Sequence, residues 1–94
     1  MNEYETVIIT RTDMREERLA EILEKICNYI ACKGKIIDET SMGVKNFAYK
    51  VKGHREGYYY YIDFKASAKV TRGLKRLYKK TNEILKFIIV KKSN

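Results

Sequence analysis

Two spacings of apolar residues alternate along this chain, and their order restricts the fold more than any other feature of the sequence. Residues 4–11 are β-branched and aromatic, which is typical of a strand. Apolar residues then recur every three or four positions and predict a helix; they are Leu19, Ile22, Leu23, Ile26 and Ile30. Asp13, with Glu16 three residues later, is a capping-box pattern for the start of this helix, and Gly34 is expected to end it.

The second half of the chain repeats this alternation. The elements expected there, in chain order, are a strand over 35–52, a hairpin loop over 53–57, a strand over 58–65, a helix over 68–80 and a strand over 84–91. Gly43 is expected to bulge the first of these strands, and Ser67 to cap the helix. Val70, Leu74 and Leu77 are predicted to form the inner face of that helix.

The resulting order, strand–helix–strand–strand–helix–strand, is typical of the ferredoxin-like sandwich, an α+β fold. We therefore predict a four-stranded antiparallel sheet with both helices on one face. No proline and no Gly/Ser linker interrupts the sequence, so residues 1–94 are expected to form a single domain. Nothing resembles a secretory signal or a membrane span, and we expect a cytoplasmic protein without a membrane partner.

The net charge of +8 is concentrated at one end of the chain. The balance of basic over acidic residues is −2 for residues 1–33, +1 for 34–64 and +9 for 65–94, where Glu83 is the single acid. A basic field of this kind favours a polyanionic partner. A lysine-rich surface that only confers solubility would explain the same composition.

The sequence offers little to an enzyme. It has one histidine, His54, and it lacks a nucleophile elbow, a glycine-rich phosphate loop and a cluster of metal ligands. Cys27 and Cys32 match neither metal-ligand nor redox-pair spacing, and we interpret them as reduced thiols. We therefore predict no catalytic residue, metal, cofactor or small-molecule substrate.

Charged residues in the strands indicate which side chains share the sheet face away from the helices. Asp63 and Lys65 mark this open face in the third strand, and Glu5 and Arg11 mark it in the first. The uncharged or basic residues then expected on the open face are Val7, Ile9, Tyr59 and Tyr61, with Ala48, Lys50 and Lys52 from the second strand. Such an apolar patch, rimmed by charge, is normally covered by a partner.

The sequence is compatible with three interpretations of these tyrosines. They could stack RNA bases, as in the RNA-recognition motif, which has the same topology. They could form a protein interface, where tyrosine is favoured. They could also be there simply because tyrosine has a high β-propensity.

One segment resembles a known family signature. Gly43-Val44-Lys45-Asn46-Phe47-Ala48-Tyr49-Lys50-Val51 is similar to the signature of the bacterial small-subunit ribosomal protein S six (S6) family. The loop ending in Arg55-Glu56-Gly57-Tyr58 and the closing strand with Val90-Lys91 are also similar to that family. Lys50 and Thr12 occupy positions where proline is common in the family, and Asn46 replaces a residue that is often basic.

This resemblance implies a structural constituent of the small ribosomal subunit. It would bind the central domain of the small-subunit ribosomal RNA together with ribosomal protein S eighteen (S18). The RNA contacts expected from the motif are Lys45, Lys50, Lys52 and Arg55, followed by Lys86 and Lys91. Val7, Ile9, Tyr59 and Tyr61 would form the interface with the partner protein. The alternative is a stand-alone reader of single-stranded RNA that stacks bases on Tyr59 and Tyr61.

Overall fold

A computed structural model of the chain describes residues 1–92. Within this range the elements follow the predicted order: β1 (Asn2–Thr10), α1 (Glu16–Lys33), β2 (Lys35–Val51), β3 (His54–Ala66), α2 (Ala68–Lys80) and β4 (Ile84–Lys91). The strands form an antiparallel sheet in the order β2-β3-β1-β4. The ferredoxin-like prediction is thereby confirmed.

Both helices pack on one face of the sheet, and the core lies between these two layers. Its buried members are Tyr4, Ile8, Ile22, Ile26, Ile30, Ile62, Phe64, Ala66, Val70, Leu74, Tyr78 and Ile84. Alternate side chains of a strand point to opposite faces of a sheet. The even-numbered positions of β1 and β3 therefore face the helices, and the odd-numbered positions form the open face.

The inner face of α2 differs by one residue from the prediction. Val70 and Leu74 are buried as expected, but the third fully buried side chain is Tyr78, while Leu77 is only half-buried. The Tyr78 hydroxyl lies 3.1 Å from Thr6 Oγ1, which itself donates a hydrogen bond of 2.8 Å to the Ile88 carbonyl. A buried tyrosine needs such a partner, and Thr6 supplies it from the sheet.

The predicted capping box at the start of α1 is wrong. The helix begins at Glu16, and its N-cap is Arg15, whose side chain makes no capping bond. The Asp13 carboxylate instead accepts hydrogen bonds from Arg11 Nε at 2.6 Å and from Arg11 Nη2 at 2.9 Å. This two-pronged, charge-assisted pair lowers the pKa of Asp13 to about 2 and removes its side chain from the helix terminus. At the other end, the Gly34 amide donates to the Ile30 carbonyl, as expected of a C-terminal stop.

The hairpin between β2 and β3 is tighter than the predicted five-residue loop. Lys52 and Gly53 form a two-residue turn with φ values of 51° and 84°, and Val51 pairs with His54 across it. Positive φ at both central positions is the geometry that fits the twist of adjacent strands. Residues 54–57 therefore belong to β3. They extend past β1, whose pairing with β3 ends at Thr10 opposite Tyr58.

Candidate nucleic-acid and protein interface

The open face carries a strip of apolar side chains across its central and β4 strands. Val7 pairs with Tyr61, and Ile9 pairs with Tyr59. Ile88 of β4 lies opposite Val7 and is 49% exposed, as is Val90. The structure thus puts all four predicted interface residues on the same sheet face, with exposed aliphatic side chains beside them.

Phe47, rather than Ala48, joins this face from β2, which corrects the predicted alternation. The Phe47 ring lies 6.3 Å from the Tyr59 ring, centroid to centroid. A Cβ on Gly57 would approach both the Ile9 and the Phe47 side chains to 2.6 Å, so these side chains cover the glycine together. Ile9 is accordingly buried, although it points away from the helices.

The reason for this correction is a large irregularity in β2. Asn46 pairs with Glu56, and the next pair is Val51 with His54, so five steps along β2 correspond to two along β3. Three residues of β2 therefore have no pairing partner on β3, and the segment 47–50 bulges from the ladder. The strict alternation expected for residues 47–52 depends on a continuous ladder and does not apply here.

This bulged segment and Arg55 surround a shallow depression of about 570 Å³. Lys50 also lines the depression, and Tyr49 is 86% exposed at its edge. Strict alternation puts Tyr49 on the same side as Phe47, so an exposed aromatic ring beside Lys50 was not predicted from the sequence. The bulge arises from the pairing of β2 with β3, which no local pattern of the sequence indicates.

The six predicted RNA contacts fall into three groups. Lys45, Lys50, Lys52 and Arg55 lie together at the hairpin end of the sheet, with Lys45 Nζ 5.4 Å from the centroid of the Tyr59 ring. Lys86 lies on β4 opposite Ile9. β4 and the hairpin strand β2 form opposite edges of the sheet, so Lys86 is far from the hairpin group. Lys91 lines a separate depression beside α2, together with Arg72 and Lys75. The hairpin group is therefore the compact one.

The opposite end of the open face is acidic. Tyr61 Oη donates a hydrogen bond of 2.6 Å to Glu5, and this bond is the main reason that the pKa of Tyr61 rises to about 12. Lys92 Nζ lies 3.0 Å from both Glu3 and Asp63 carboxylate oxygens, which raises the pKa of Lys92. Asp63 is buried, and its second oxygen, Oδ1, has no hydrogen-bond partner in the described part of the chain.

No group of three or more histidine, cysteine or acidic side chains within residues 1–92 is arranged to hold a metal ion. No helix in the same range is both long and apolar enough to cross a membrane. Both cysteines are free thiols, Cys27 half-buried and Cys32 exposed.

Comparisons with known proteins agree with the sequence motif. Residues 3–91 match the family model for Ribosomal protein S6. Small ribosomal subunit protein bS6 of Heliobacterium modesticaldum is 30% identical over 98% of this chain and 97% of its own length. The bS6 protein of Helicobacter acinonychis is 35% identical over 97% of this chain, which spans only 65% of that longer relative. The crystal structure of 30S ribosomal protein S6 from Thermotoga maritima superposes with a TM-score of 0.91 at 29% identity, covering 97% of this chain and 87% of that one.

Proposed function

This chain belongs to the ribosomal protein S6 family, and on that premise we propose that it binds the central domain of the small-subunit ribosomal RNA together with S18. As a family member it is a structural component of the small ribosomal subunit on the cytoplasmic ribosome, and it is not an enzyme. The observation that carries the RNA proposal is the basic, bulged hairpin end of the sheet.

The hairpin end has the two kinds of group that RNA binding requires. Lys50, Lys52 and Arg55 project from a short protruding segment, where they can contact phosphates without reading sequence. Tyr49 of the same segment is almost fully exposed and can stack on an unpaired base. We therefore propose this end as the principal RNA contact, with Lys45 assisting and Lys86 and Lys91 contributing through their charge.

The open face supports the protein-partner part of the proposal. The apolar strip consists of Val7, Tyr59 and the exposed Ile88. Ile9 is buried beside Phe47, which packs on Tyr59, and the Tyr61 hydroxyl is hydrogen-bonded to Glu5. The acidic end with Glu3, Glu5 and Asp63 would repel RNA phosphates but suits a partner with basic side chains. We infer that the open face takes a protein and that the hairpin takes the RNA.

The same features disfavour the stand-alone reader of single-stranded RNA. Lys45 lies over the Tyr59 ring, and Tyr61 is bonded to a carboxylate next to two further acids. Neither ring therefore offers an open, electropositive platform for a base and its phosphate.

Two tyrosine variants separate the two surfaces. Tyr49→Ala should weaken RNA binding by the S18 complex by about 1–3 kcal/mol, the usual value for a lost stacking platform, and leave the affinity for S18 unchanged. Tyr59→Ala should weaken S18 binding by about 1 kcal/mol or more, as for an interface aromatic residue. Calorimetry with S18 and filter binding with RNA measure the two affinities. Equal effects of both variants on both ligands would contradict the division of surfaces.

A cationic variant tests the phosphate contacts. Lys50→Gln/Lys52→Gln/Arg55→Gln should flatten the dependence of log affinity on log salt by about 2 when the complex binds RNA, since each lost contact removes roughly 0.7–0.9. The control is Arg72→Gln/Lys75→Gln/Lys79→Gln on α2, which removes the same charge far from the hairpin. A control that flattens the dependence as much would mean that net charge alone drives binding.

A further inference from the structure

A groove between α1 and α2 runs along the side of the protein opposite the open sheet face. Its larger section has a volume of about 690 Å³, and a smaller section continues toward the start of α2. The two sections share Tyr29, Lys33 and Arg76. The charged residues lining them are Lys25, Lys33, Lys69, Arg76 and Lys80, and no carboxylate of the described residues lines either section.

The positive charge of this groove is not neutralised from within the described chain. None of its five cations makes an ion pair with a carboxylate of residues 1–92. α2 contributes six basic residues and no acidic one over Ala68–Lys80. Glu21 of α1 lines an adjoining depression that shares Lys25 and Lys80 with the groove, and its carboxylate lies 3.6 Å from Arg18. Uncompensated cations in a concave surface concentrate the field and attract a polyanion.

The floor of the groove determines which part of a nucleic acid could bind there. The Tyr29 ring lies against α2 at Gly73, and Lys33 Nζ covers the ring at 5.4 Å from its centroid. A cation therefore covers this face of the ring, where a stacked base would otherwise lie. What the groove presents is a set of ammonium and guanidinium groups along about 12–16 Å of helix, from Lys25 to Lys33 and from Lys69 to Lys80.

We propose that this interhelical groove binds a second segment of RNA through its phosphates, independently of the hairpin end. A chain of phosphates matches an extended row of cations, and such contacts need no base readout. An anionic membrane surface would also attract the cations, but stable interfacial binding requires exposed apolar side chains. The large exposed apolar residues of the described chain lie at the N-terminus and on β2 and β4, with none on either helix.

Two variants of equal charge test the groove. Lys33→Gln/Arg76→Gln/Lys80→Gln removes three groove cations, and Arg72→Gln/Lys75→Gln/Lys79→Gln removes three cations from α2 that do not line it. The probe is a fluorescent RNA duplex of about 20 base pairs, titrated at several salt concentrations. The groove variant should bind the duplex about tenfold more weakly than the wild-type chain, and the slope of log affinity against log salt concentration should fall by about 2. The control variant should lose less than about threefold in affinity.

Cys32 provides an independent readout, because it is exposed and lines the groove. Addition of the duplex should slow the alkylation of Cys32 several-fold in the wild-type chain. In the groove variant the alkylation rate should be the same with and without the duplex. Vesicles containing phosphatidylserine should not protect it. Repeating the titration in the Lys50→Gln/Lys52→Gln/Arg55→Gln background separates the groove from the hairpin, because the loss caused by the groove variant should persist there.

The proposal is overturned by any of several results. Equal losses in the groove and control variants would show that only net charge matters. Absence of duplex binding by the wild-type chain, or unchanged alkylation of Cys32 in the complex, would show that RNA does not occupy the groove. Protection by vesicles but not by RNA would assign the groove to a membrane surface instead.

Discussion

Gly73 of α2 lies directly against the hydroxyl group of Tyr29 on α1, so closely that a Cβ at position 73 would overlap that oxygen. Glycine within a helix costs about 1 kcal/mol relative to alanine. Here the missing side chain lets the Tyr29 ring fill the space between the helices. The close approach of α1 and α2, and the shape of the groove between them, follow from this contact.

A mutant cycle tests this relationship. Gly73→Ala should lower the free energy of unfolding by about 1 kcal/mol despite the better helix propensity of alanine, because the Tyr29 ring must move and lose buried area. In a Tyr29→Ala background the same change should instead raise it by up to about 1 kcal/mol. Urea unfolding of the four proteins measures whether the effect of Gly73→Ala on the free energy of unfolding changes sign between the two backgrounds. A stabilising Gly73→Ala in the wild-type background would contradict the steric argument.

The buried pair Thr6 and Tyr78 makes a second test. Thr6 donates its one proton to the Ile88 carbonyl, so the Tyr78 hydroxyl donates to Thr6 Oγ1. Thr6→Val should cost about 1–3 kcal/mol, because the Tyr78 hydroxyl is left buried without an acceptor. Adding Tyr78→Phe should then cost little more. Thr40→Val, at an exposed position of β2, should change stability by less than about 0.5 kcal/mol. Additive losses in the double variant would argue against the bond.

Glu39 should make stability depend on pH in the acid range. Its carboxylate accepts hydrogen bonds from the Tyr60 hydroxyl at 2.7 Å and from the Cys27 thiol at 3.1 Å, which lower the pKa of Glu39 in the folded state. Its contribution is therefore present above its unfolded-state pKa and is lost as the pH falls through the folded-state value. Because Glu39 is exposed, we expect Glu39→Gln to cost only about 0.5–1 kcal/mol at neutral pH.

The measurement is urea unfolding of wild-type and Glu39→Gln proteins at neutral pH and at about pH 3. The difference between them should be smaller at the lower pH, because protonation of the wild-type carboxyl removes the charge that accepts these hydrogen bonds. Glu24→Gln, at an exposed position of α1, should show little difference at either pH. A Glu39→Gln difference that is the same at both pH values would show that the charge is not involved.

The two thiols should react at different rates. Burial and the neighbouring Glu39 raise the pKa of Cys27 to about 12, and its side chain is half-buried, whereas Cys32 is exposed. The thiolate is the reactive form, so alkylation at about pH 8 should modify Cys32 well before Cys27. Mass spectrometry of the partly alkylated protein reports the order, and comparable rates would contradict the half-buried position of Cys27.

The long elements of this fold were predictable because their patterns are strong and local. The bounds of α2 and β4 agree with the prediction, and the inner stripe of α1 includes the buried Ile22, Ile26 and Ile30. The odd-numbered residues of β1 and β3 also lie on the predicted open face, since an uninterrupted strand preserves its alternation.

The errors occur where the outcome depends on a competing partner. Asp13 has the spacing of a capping residue, but Arg11, two residues earlier, binds its carboxylate. Lys52 adopts a positive φ that is uncommon for lysine, so its turn was not predicted. Phe47 and Tyr49 lie in a bulge whose three extra residues become visible only when the ladder of β2 and β3 is paired.

We propose above all that this chain binds ribosomal RNA jointly with S18. The direct test is a gel-shift titration on a central-domain fragment of small-subunit ribosomal RNA, with and without S18, at two salt concentrations. We predict tight binding only in the presence of S18, with affinity falling as salt rises. Tight binding of this chain alone to unstructured RNA would contradict the joint mechanism and favour a reader that stacks bases on its tyrosines.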